Sequence, residues 1–472
     1  MKKTALIISL FFTLNNTAQD SIVYSLKQCI DIALQNNLTV KLNEFQTESN
    51  DARLQQTRAA NLPSIWGYVN QGINQGKSIN PYTNTFINQK INTGQYGVNA
   101  SMNLWSGFSN YNTMRQNAFA YQAGKMDWEQ SKMDITISVM LAYLQILSNE
   151  EQLNQAQSQV DVSKAQTDRL NVLDKNNALS PSVLYDTKGQ LANDRISYIN
   201  AKAAFASSKI TLSQLLNLSF PTNVKFEKIN VVAEIKANES NSEAVYAEAS
   251  KNLPMIKAAE YRRLSAVKYV HASRGLIFPS ISLNGSIGTN YSDAALSQKV
   301  IGVTDAGTDN YVLINNTPTT VYAPQYNFSS EKIAFNDQFK NNLNSYIGVS
   351  LQFTLFNSLK TKTQISLSKI NKEQTEVIQK NTNIALKGAV DQASIDMKAA
   401  YDRYIILSEQ VEDYAASFKI ATIKFEKGVI TTVDYVIAKS NTDKAQMNFI
   451  AAKYDYILKS KVLDYYSGKL PM

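Results

Sequence analysis

The sequence is poor in the residues on which most enzyme and metal sites depend. Its 472 residues include one cysteine, Cys29, and one histidine, His271. A single cysteine cannot form an internal disulfide, and Cys/His zinc sites need several ligands at fixed spacing. His271 stands in no nucleophile or metal-binding motif. We therefore expect no enzymatic activity and no catalytic, cofactor or metal site, and we expect Cys29 to be a small buried hydrophobe.

Charged residues are also few, at 18% of the chain, against roughly 25% in an ordinary globular protein. The formal charge is +8, and two of these charges belong to Lys2 and Lys3, in a segment that we expect to be removed. The remaining charge is too dilute over so long a chain to favour nucleic acid as a partner. We expect no nucleic-acid binding.

Long apolar runs are missing, since none reaches the ~20 residues that a membrane-spanning helix needs. A shorter run, Ala5–Phe12, follows Lys2-Lys3, and Ala18 then precedes a polar residue. A basic start, a short apolar stretch and a small residue before a polar one are typical of a secretory signal. We predict a signal peptide over residues 1–18 and an exported protein whose membrane contact comes through β-structure or a surface helix.

What the chain does have is one plan repeated twice. Leu62-Pro63-Ser64-Ile65 matches Phe278-Pro279-Ser280-Ile281 at a separation of 216, whereas Gly97-Val98-Asn99 matches Gly348-Val349-Ser350 at 251. The 35 extra residues enter between these motifs, as an insertion into a loop does. We predict two repeats, over residues 19–241 and 242–472.

Each repeat also contains a long stretch without proline, from Pro81 to Pro181 and from Pro324 to Pro471. A 3-4-3-4-3 heptad spacing predicts packed helices over about 109–176 and 359–427, each roughly 100 Å long. The heptad positions are Leu153, Ala156, Val160, Ser163, Thr167 and Leu170, and then Tyr404, Leu407, Val411, Tyr414, Phe418 and Ala421. Shorter helices are expected over about 25–60, 181–216, 242–273 and 432–464, the first with an N-cap at Ser25 and an apolar face that ends at Asn36-Asn37.

Between the helices the apolar period changes from 3.6 to 2. Val98, Ala100, Met102 and Leu104 alternate with polar residues, and so do Val349, Leu351, Phe353 and Leu355. We predict strands over about 64–72, 96–105, 279–288 and 346–356. The alternation suits an outer-membrane barrel wall, although a half-buried sheet in a soluble protein shows it too. Four strands cannot close a membrane barrel, so if these strands line one, several chains must contribute to it. We expect residues 72–96 and 289–345 to be surface loops.

The duplicated plan resembles the TolC family of outer-membrane efflux proteins over essentially the whole exported chain. The marks of the resemblance are the start Ser25–Leu34, the two Pro-Ser-Ile entries, Leu104–Gly107 and the segment Phe425–Asp434. The fold that it implies is mainly α with a β-barrel portion. Three chains form a twelve-stranded barrel in the cell outer membrane, in contact with its lipid, and a long coiled-coil tube of helices in the periplasm.

The resemblance also implies partners: a homotrimer, a periplasmic adaptor of the membrane-fusion type and an inner-membrane RND or ABC transporter. It implies a passive exit duct for small toxic molecules. Two alternatives stay open, namely the duct of an ABC-type protein or peptide secretion system and a structural coiled-coil protein of the cell surface.

Phe425–Asp434 resembles the family's periplasmic tip, so adaptor contacts are expected at Gly428, Val429, Ile430 and Thr431 and, one repeat earlier, at Asn177, Ala178, Leu179 and Ser180. In the tip turn Gly428 can take the left-handed conformation, and Thr431 or Thr432 can cap the next helix. Asp434 matches the first acidic position of the family's aperture, where three copies would attract cations and repel one another. The second acidic position is Ile437 here. Asp434 can equally be a helix-start acid that stabilises the dipole.

Overall fold

The computed structural model describes residues 23–79, 84–175, 181–220, 224–229 and 241–469, so the predicted signal peptide lies outside the described residues. In chain order the elements are β1 (Val23–Tyr24), α1 (Leu26–Asn36), α2 (Leu38–Ala59), β2 (Ser64–Ile79), β3 (Phe86–Trp105), α3 (Ser109–Lys175), α4 (Pro181–Leu216), β4 (Lys225–Phe226), α5 (Ser242–Asn252), α6 (Pro254–Gly275), β5 (Ser280–Ser292), β6 (Leu296–Ile314), β7 (Thr317–Lys332), α7 (Phe335–Asn341), β8 (Asn344–Gln352), α8 (Lys360–Glu426) and α9 (Thr432–Tyr466).

Three pairs of corresponding helices in the two halves of the chain have equal lengths. α1 and α5 have 11 residues each, α2 and α6 have 22 each, and α3 and α8 have 67 each. α5 begins 216 positions after α1, and α8 ends 251 positions after α3. The elements therefore repeat with the same two offsets as the sequence motifs, and the duplicated fold class is confirmed. The offset changes between β5 and β8, where β6, β7 and α7 lie.

Each shorter amino-terminal helix is divided in two. The backbone of Asn37 is extended between α1 and α2, and that of Leu253 is extended between α5 and α6. The Asn37 side chain caps α2 by accepting hydrogen bonds from the backbone N–H groups of Thr39 at 2.9 Å and Val40 at 3.3 Å. The predictions of single helices over about 25–60 and 242–273 were therefore wrong. The first helix breaks where its apolar face ends at Asn36-Asn37, and the second breaks because Pro254 disfavours helical backbone at Leu253.

Most of the helical residues belong to one compact unit, formed by the described parts of Met1–Asp51, Ala118–Ser265 and Glu373–Met472. Its core holds the nearly inaccessible side chains of Cys29, Ala33, Val139, Tyr143, Leu212, Leu216, Val390 and Tyr456. Cys29 is the small buried hydrophobe predicted from the sequence, and burial raises the pKa of its thiol to about 12. At the helix start before it, Ser25 and Gln28 form a capping box, as the N-cap pattern predicted.

The heptad positions face inward in both long helices, but to different extents. In α3, Ala156, Ser163, Thr167 and Leu170 are buried. In α8 the positions from Tyr404 to Ala421 are half-buried between more exposed neighbours. A seam of this kind is the packing surface of a long helix. In the isolated chain the α3 seam is therefore more completely packed than the α8 seam.

The second compact unit comprises Ala52–Asn117 and Ala266–Lys372 and contains an antiparallel four-stranded sheet in the order β2-β3-β5-β8. β2 and β3 are longer than expected, since their ladder continues to the pair Ile79–Phe86. β6 and β7 pair with each other in a separate sheet. The prediction of loops over 72–96 and 289–345 was wrong, because these Asn-, Thr- and Ser-rich stretches have little apolar alternation, whereas the backbone ladder forms with polar side chains as well.

The turn from strand to long helix has the same backbone in both repeats. Gly107 and Phe108 have φ of 61° and 62°, and Ser358 and Leu359, 251 positions later, have 55° and 63°. In the first repeat this turn lies against Gly275, since a Cβ atom on Gly107 would come within 2.3 Å of the Gly275 carbonyl oxygen. Glycine is required at position 107 for space as well as for conformation.

Candidate functional site

The tip between α8 and α9 is a tight helix-to-helix turn. The N–H of Val429 donates to the Lys424 carbonyl oxygen at 2.8 Å, and the N–H of Gly428 donates to that of Phe425 at 3.0 Å. Gly428 has φ of 72°, as the prediction of a left-handed residue required. This is a Schellman arrangement, which satisfies the last carbonyl groups of α8 and turns the chain sharply. The matching tip residues Asn177, Ala178, Leu179 and Ser180 lie outside the described residues.

Thr431 and Asp434 cap the start of α9 reciprocally. The Asp434 N–H donates to Thr431 Oγ1 at 3.2 Å, and the Thr431 N–H donates to Asp434 Oδ2 at 3.1 Å. The Thr431 hydroxyl also donates to Asp434 Oδ2 at 2.7 Å. These hydrogen bonds to the charged form lower the pKa of the Asp434 carboxyl below its ordinary value. The helix-start role of Asp434 is therefore present in the structure.

Asp434 and Ile437 lie one turn apart at the exposed start of α9. Ile437 is 53% exposed, and Val433 beside it is similarly exposed. The opposite side of α9 is packed, since Tyr435 is buried and its ring stacks on Phe425 of α8 with centroids 4.7 Å apart. Burial raises the pKa of the Tyr435 hydroxyl to about 12. The two predicted aperture residues thus share a surface that the single chain leaves open.

A cleft of about 570 Å³ lies at the tip between the helix pairs α3–α4 and α8–α9. Its wall combines Leu173 and Val183 with the tip residues Gly428 and Ile430. At its edge Arg169 of α3 donates to Glu426 of α8 at 2.7 Å. An apolar wall beside charged groups suits the end of another helix. Val429, outside the cleft lining, is 67% exposed.

Deeper in the helices lies a charged cluster that the sequence reasoning missed. The ammonium group of Lys439 on α9, whose side chain is 2% exposed, donates to Asp194 of α4 at 2.8 Å and to Asp443. Ser163 of α3 also donates to Asp194. Burial raises the pKa of the Asp443 carboxyl, and the Lys439 ammonium opposes that rise. The signal was a lysine at a buried helical position of α9, four residues after Tyr435.

The four-stranded sheet has one apolar and one polar face. The strand register aligns Val98 with Ile287, and Leu283 with Val349. The exposed side chains of the apolar face are Ile65, Val69, Ile73, Val98, Ile287, Ile347, Val349 and Leu351. On the polar face Asn284 Nδ2 donates to Ser350 Oγ at 3.1 Å, and Ser101 Oγ donates to Asn284 Oδ1 at 2.9 Å. A soluble sheet buries its apolar face, so these residues are arranged for an apolar surrounding.

Within the described ranges, no helix carries an apolar stretch long enough to cross a membrane. The same residues contain no group of three or more His, Cys, Asp or Glu side chains placed to hold a metal ion.

Comparisons with known proteins agree with this geometry. A family model described as outer membrane efflux protein matches residues 245–469. The toxin and drug export protein A of Aggregatibacter actinomycetemcomitans is 24% identical over 396 residues, which are 80% of this chain and 74% of that protein.

Two solved structures show the same fold. The CmeC outer membrane channel of Campylobacter jejuni superimposes with a TM-score of 0.76 at 19% identity, covering 94% of this chain and 86% of that chain. The open state of the Neisseria gonorrhoeae MtrE outer membrane channel gives a TM-score of 0.73 at 16% identity, covering 94% and 88%. The second half of the chain is therefore similar in sequence to outer membrane efflux proteins, and nearly the whole chain has the fold of these two outer membrane channels.

Proposed function

We propose that three copies of this chain form an exit duct of the outer membrane that passes small toxic molecules out of the cell. The observation that carries the proposal is the sheet with an exposed apolar face and two open edges. Within the described residues, β2 and β8 each pair on one side only. Joining β8 of one copy to β2 of the next closes twelve strands around a threefold axis and turns the apolar faces toward lipid.

Exposed apolar stripes on the helices support the trimer. On α8 the residues Val377, Ile384, Ile395 and Ile406 are exposed, and on α4 so are Tyr185, Ile196, Ile199 and Ile210. Spacings of 7 and 11 residues on α8, and of 3 and 11 residues on α4, keep each set on one face of a nearly straight helix. Stripes this long are costly in water, so neighbouring copies of the chain are their natural cover.

The proposed working end of the duct is the tip. Docking of a periplasmic adaptor is assigned to the exposed residues Gly428, Val429 and Thr431 and the half-buried Ile430, with Asn177–Ser180 as their counterparts in the first repeat. Three copies of Asp434 and, one helical turn farther from the tip, three copies of Ile437 form a narrow aperture. The aperture is acidic at the tip and apolar behind it. Like charges facing one another favour opening. Asp434 then has two roles, because it also caps α9.

The duct has no energy source of its own, so an inner-membrane RND or ABC transporter supplies the cargo through the adaptor. The proposed repeats, residues 19–241 and 242–472, each contribute two strands and one helical hairpin to the assembly. The A. actinomycetemcomitans relative is named as an export protein for both toxins and drugs. Small toxic molecules are the proposed cargo, and protein or peptide cargo delivered by an ABC transporter is the second candidate.

The experiment that tests this function places a photo-crosslinking amino acid at Val429 in living cells. Lys398 is the matched control, since it is exposed on α8, the helix that leads into the tip turn, roughly 40 Å before the tip. Captured partners are identified by mass spectrometry, and the susceptibility of a deletion strain to dyes, detergents and antibiotics is measured in parallel.

Capture of an adaptor at Val429 and not at Lys398 is the expected result, together with raised susceptibility of the deletion strain. An adaptor of an ABC secretion system with unchanged susceptibility selects the second candidate. No periplasmic partner at Val429, with unchanged susceptibility and intact secretion, overturns the duct and favours a structural surface protein.

A further inference from the structure

The insertion of the second repeat adds a short helix over the apolar face of the sheet. Tyr96 and Tyr291 lie at one end of that face, in line with Val98 and Ile287. Phe335 of α7 contacts both tyrosine rings, with centroids 6.0 and 5.2 Å apart. α7 therefore covers the end of the face that the proposed function turns toward lipid.

Buried polar contacts hold α7 in this place. Gln338 is 2% exposed, and its amide donates to the carbonyl oxygens of Ser292 and Ile333, at 2.8 Å each. Its amide oxygen accepts the Ser292 N–H at 2.9 Å. The Thr289 hydroxyl, which lies beneath α7, donates to the Phe339 carbonyl oxygen at 2.9 Å. A satisfied buried amide of this kind fixes one position of the helix.

The packing nevertheless leaves aromatic surface open. Phe335 and Phe339 remain 43% and 41% exposed. At the other end of the face, a bulge aligns Trp105 with Ile281, and the indole contacts Phe108 and Phe278. From Tyr96 to Trp105 the strand covers roughly 30 Å, or about 21–25 Å along the normal of a membrane at barrel tilt. Two aromatic clusters at this separation match the two boundaries of a hydrocarbon layer.

The hairpin β6–β7 starts beside this helix. The Ile333 N–H donates to the Ala295 carbonyl oxygen at 3.0 Å, so the hairpin closes immediately before α7 begins. The ladder aligns Val300 with Phe328, and Val303 with Tyr326. One face carries the exposed apolar side chains Leu296, Val300, Val303, Tyr322, Tyr326 and Phe328. The same face also holds Gln298, Ser330 and Lys332 near the root of the hairpin and Asp305 farther along it, so the apolar surface is concentrated around Val300, Val303, Tyr326 and Phe328. The other face pairs Lys299 with Ser329, and Thr304 with Gln325.

An amphipathic two-stranded sheet is at best marginally stable in water by itself. The base of this hairpin is hydrogen-bonded to α7, and α7 lies on the apolar face of the sheet. The hairpin therefore starts from that face. The nearest apolar medium there is the one that surrounds the sheet.

We propose that α7 and the β6–β7 hairpin form a lipid-binding collar, in which Phe335 and Phe339 enter the outer leaflet of the outer membrane and the hairpin lies on that leaflet with its apolar face down. The occupant of this surface is the hydrocarbon boundary of the membrane. The proposal rests on the proposed function, since it takes the apolar face of the sheet as the lipid-facing wall.

The test uses the full chain, with Cys29→Ala, as trimers in nanodiscs of phosphatidylethanolamine and phosphatidylglycerol. Single cysteines at Phe339 and Tyr326 carry spin labels, and collision rates with oxygen and with a water-soluble nickel complex give their depth. Asn336 on α7 and Gln325 on the polar face of the hairpin are the matched controls. Val349, on the apolar face of the sheet, is the membrane reference. All five positions are exposed, so the labels disturb no core.

The expected result is oxygen-rich, nickel-poor labels at Phe339 and Tyr326, at a depth of roughly 5–10 Å, with Asn336 and Gln325 in water. Nickel access at Phe339 and Tyr326 equal to that of the controls overturns the collar. So does low access of both reagents at these positions, because protein then covers them. If the Val349 label is itself in water, the sheet does not face lipid and the proposed function is overturned. If only the Phe339 and Tyr326 labels are in water, the collar alone is overturned.

Discussion

The two repeats have long helices of equal length, yet they pack differently within one chain. Leu144 of α3 is 3% exposed, whereas Ile395, which lies 251 positions later in α8, is 64% exposed. Both are large aliphatic side chains near the middle of a 67-residue helix. The two repeats therefore keep the same helix, but the equivalent apolar side chains have different surroundings: Leu144 is packed within the chain and Ile395 is not. We infer that α3 completes its packing at this position within the chain, whereas α8 leaves apolar surface there for another copy.

The largest predicted effect comes from placing a charge at each of these positions. Leu144→Asp buries an unpaired carboxylate, and we expect it to cost about 4 kcal/mol or more of unfolding free energy. Ile395→Asp should leave the helices of the chain folded and weaken the trimer. Melting followed by circular dichroism and molar mass from light scattering in detergent measure the two effects. Loss of helix in Ile395→Asp with no change in Leu144→Asp would contradict the comparison.

The repeats also differ in a pair of lysines. Lys439 is buried between two carboxylates, whereas Lys188, its counterpart on α4, is exposed with its ammonium 5.6 Å from the Tyr185 ring centroid. Lys439→Met leaves Asp194 and Asp443 buried without their cation, so we expect a loss of about 3–5 kcal/mol. Lys188→Met should cost less than about 1 kcal/mol. Equal changes in the melting temperatures of the two variants would show that the cluster is solvated.

A smaller effect is expected at the turn from strand to long helix. Gly107→Ala strains a positive φ and brings a methyl group against the Gly275 carbonyl, so we expect a loss of roughly 1–3 kcal/mol. Ser358→Gly should stabilise the chain by about 0.5–1 kcal/mol, because it relieves the same backbone strain at an exposed position. Thermal melts of both variants decide this. Stabilisation by Gly107→Ala would refute the close approach of the two glycines.

The smallest effect concerns the cap at the tip. Thr431→Ala removes the hydroxyl group that hydrogen-bonds to Asp434, so the pKa of the Asp434 carboxyl should rise toward its ordinary value. Loss of this cap should lower the stability of α9 by about 1 kcal/mol. Because this pKa is lowered in the folded protein, the stability that it supplies is present above the unfolded pKa and is lost as pH falls through the folded pKa.

Carbon-13 NMR titration of Asp434 gives the pKa directly. Thr432→Val is the matched control, since the Thr432 hydroxyl is buried with no hydrogen-bond partner among the described residues and its loss should be neutral. An equal shift of the Asp434 pKa in both variants would mean that the cap is not the cause.

Much of the fold could be predicted from residue patterns because they record local physics. The Gly428 turn, the Ser25 and Thr431 caps and the strand alternation around Val98 each depend on neighbours a few residues away. The sequence reasoning failed where the contacts are distant. The ladder of β6 and β7 forms through the backbone and has little side-chain signal, and Asp194 meets Lys439 from 245 positions away.

The sequence by itself determined the duplication, the lengths of the two long helices and the apolar face of the sheet, because periodicity and chain length fix these before any tertiary contact forms. Only the tertiary structure decided which of two equivalent residues is buried, where the Lys439 ammonium finds its carboxylates, and that α7 rests on the apolar face. The physical reason is that burial and ion pairing depend on which elements meet in space, and a duplicated sequence presents the same pattern to different neighbours.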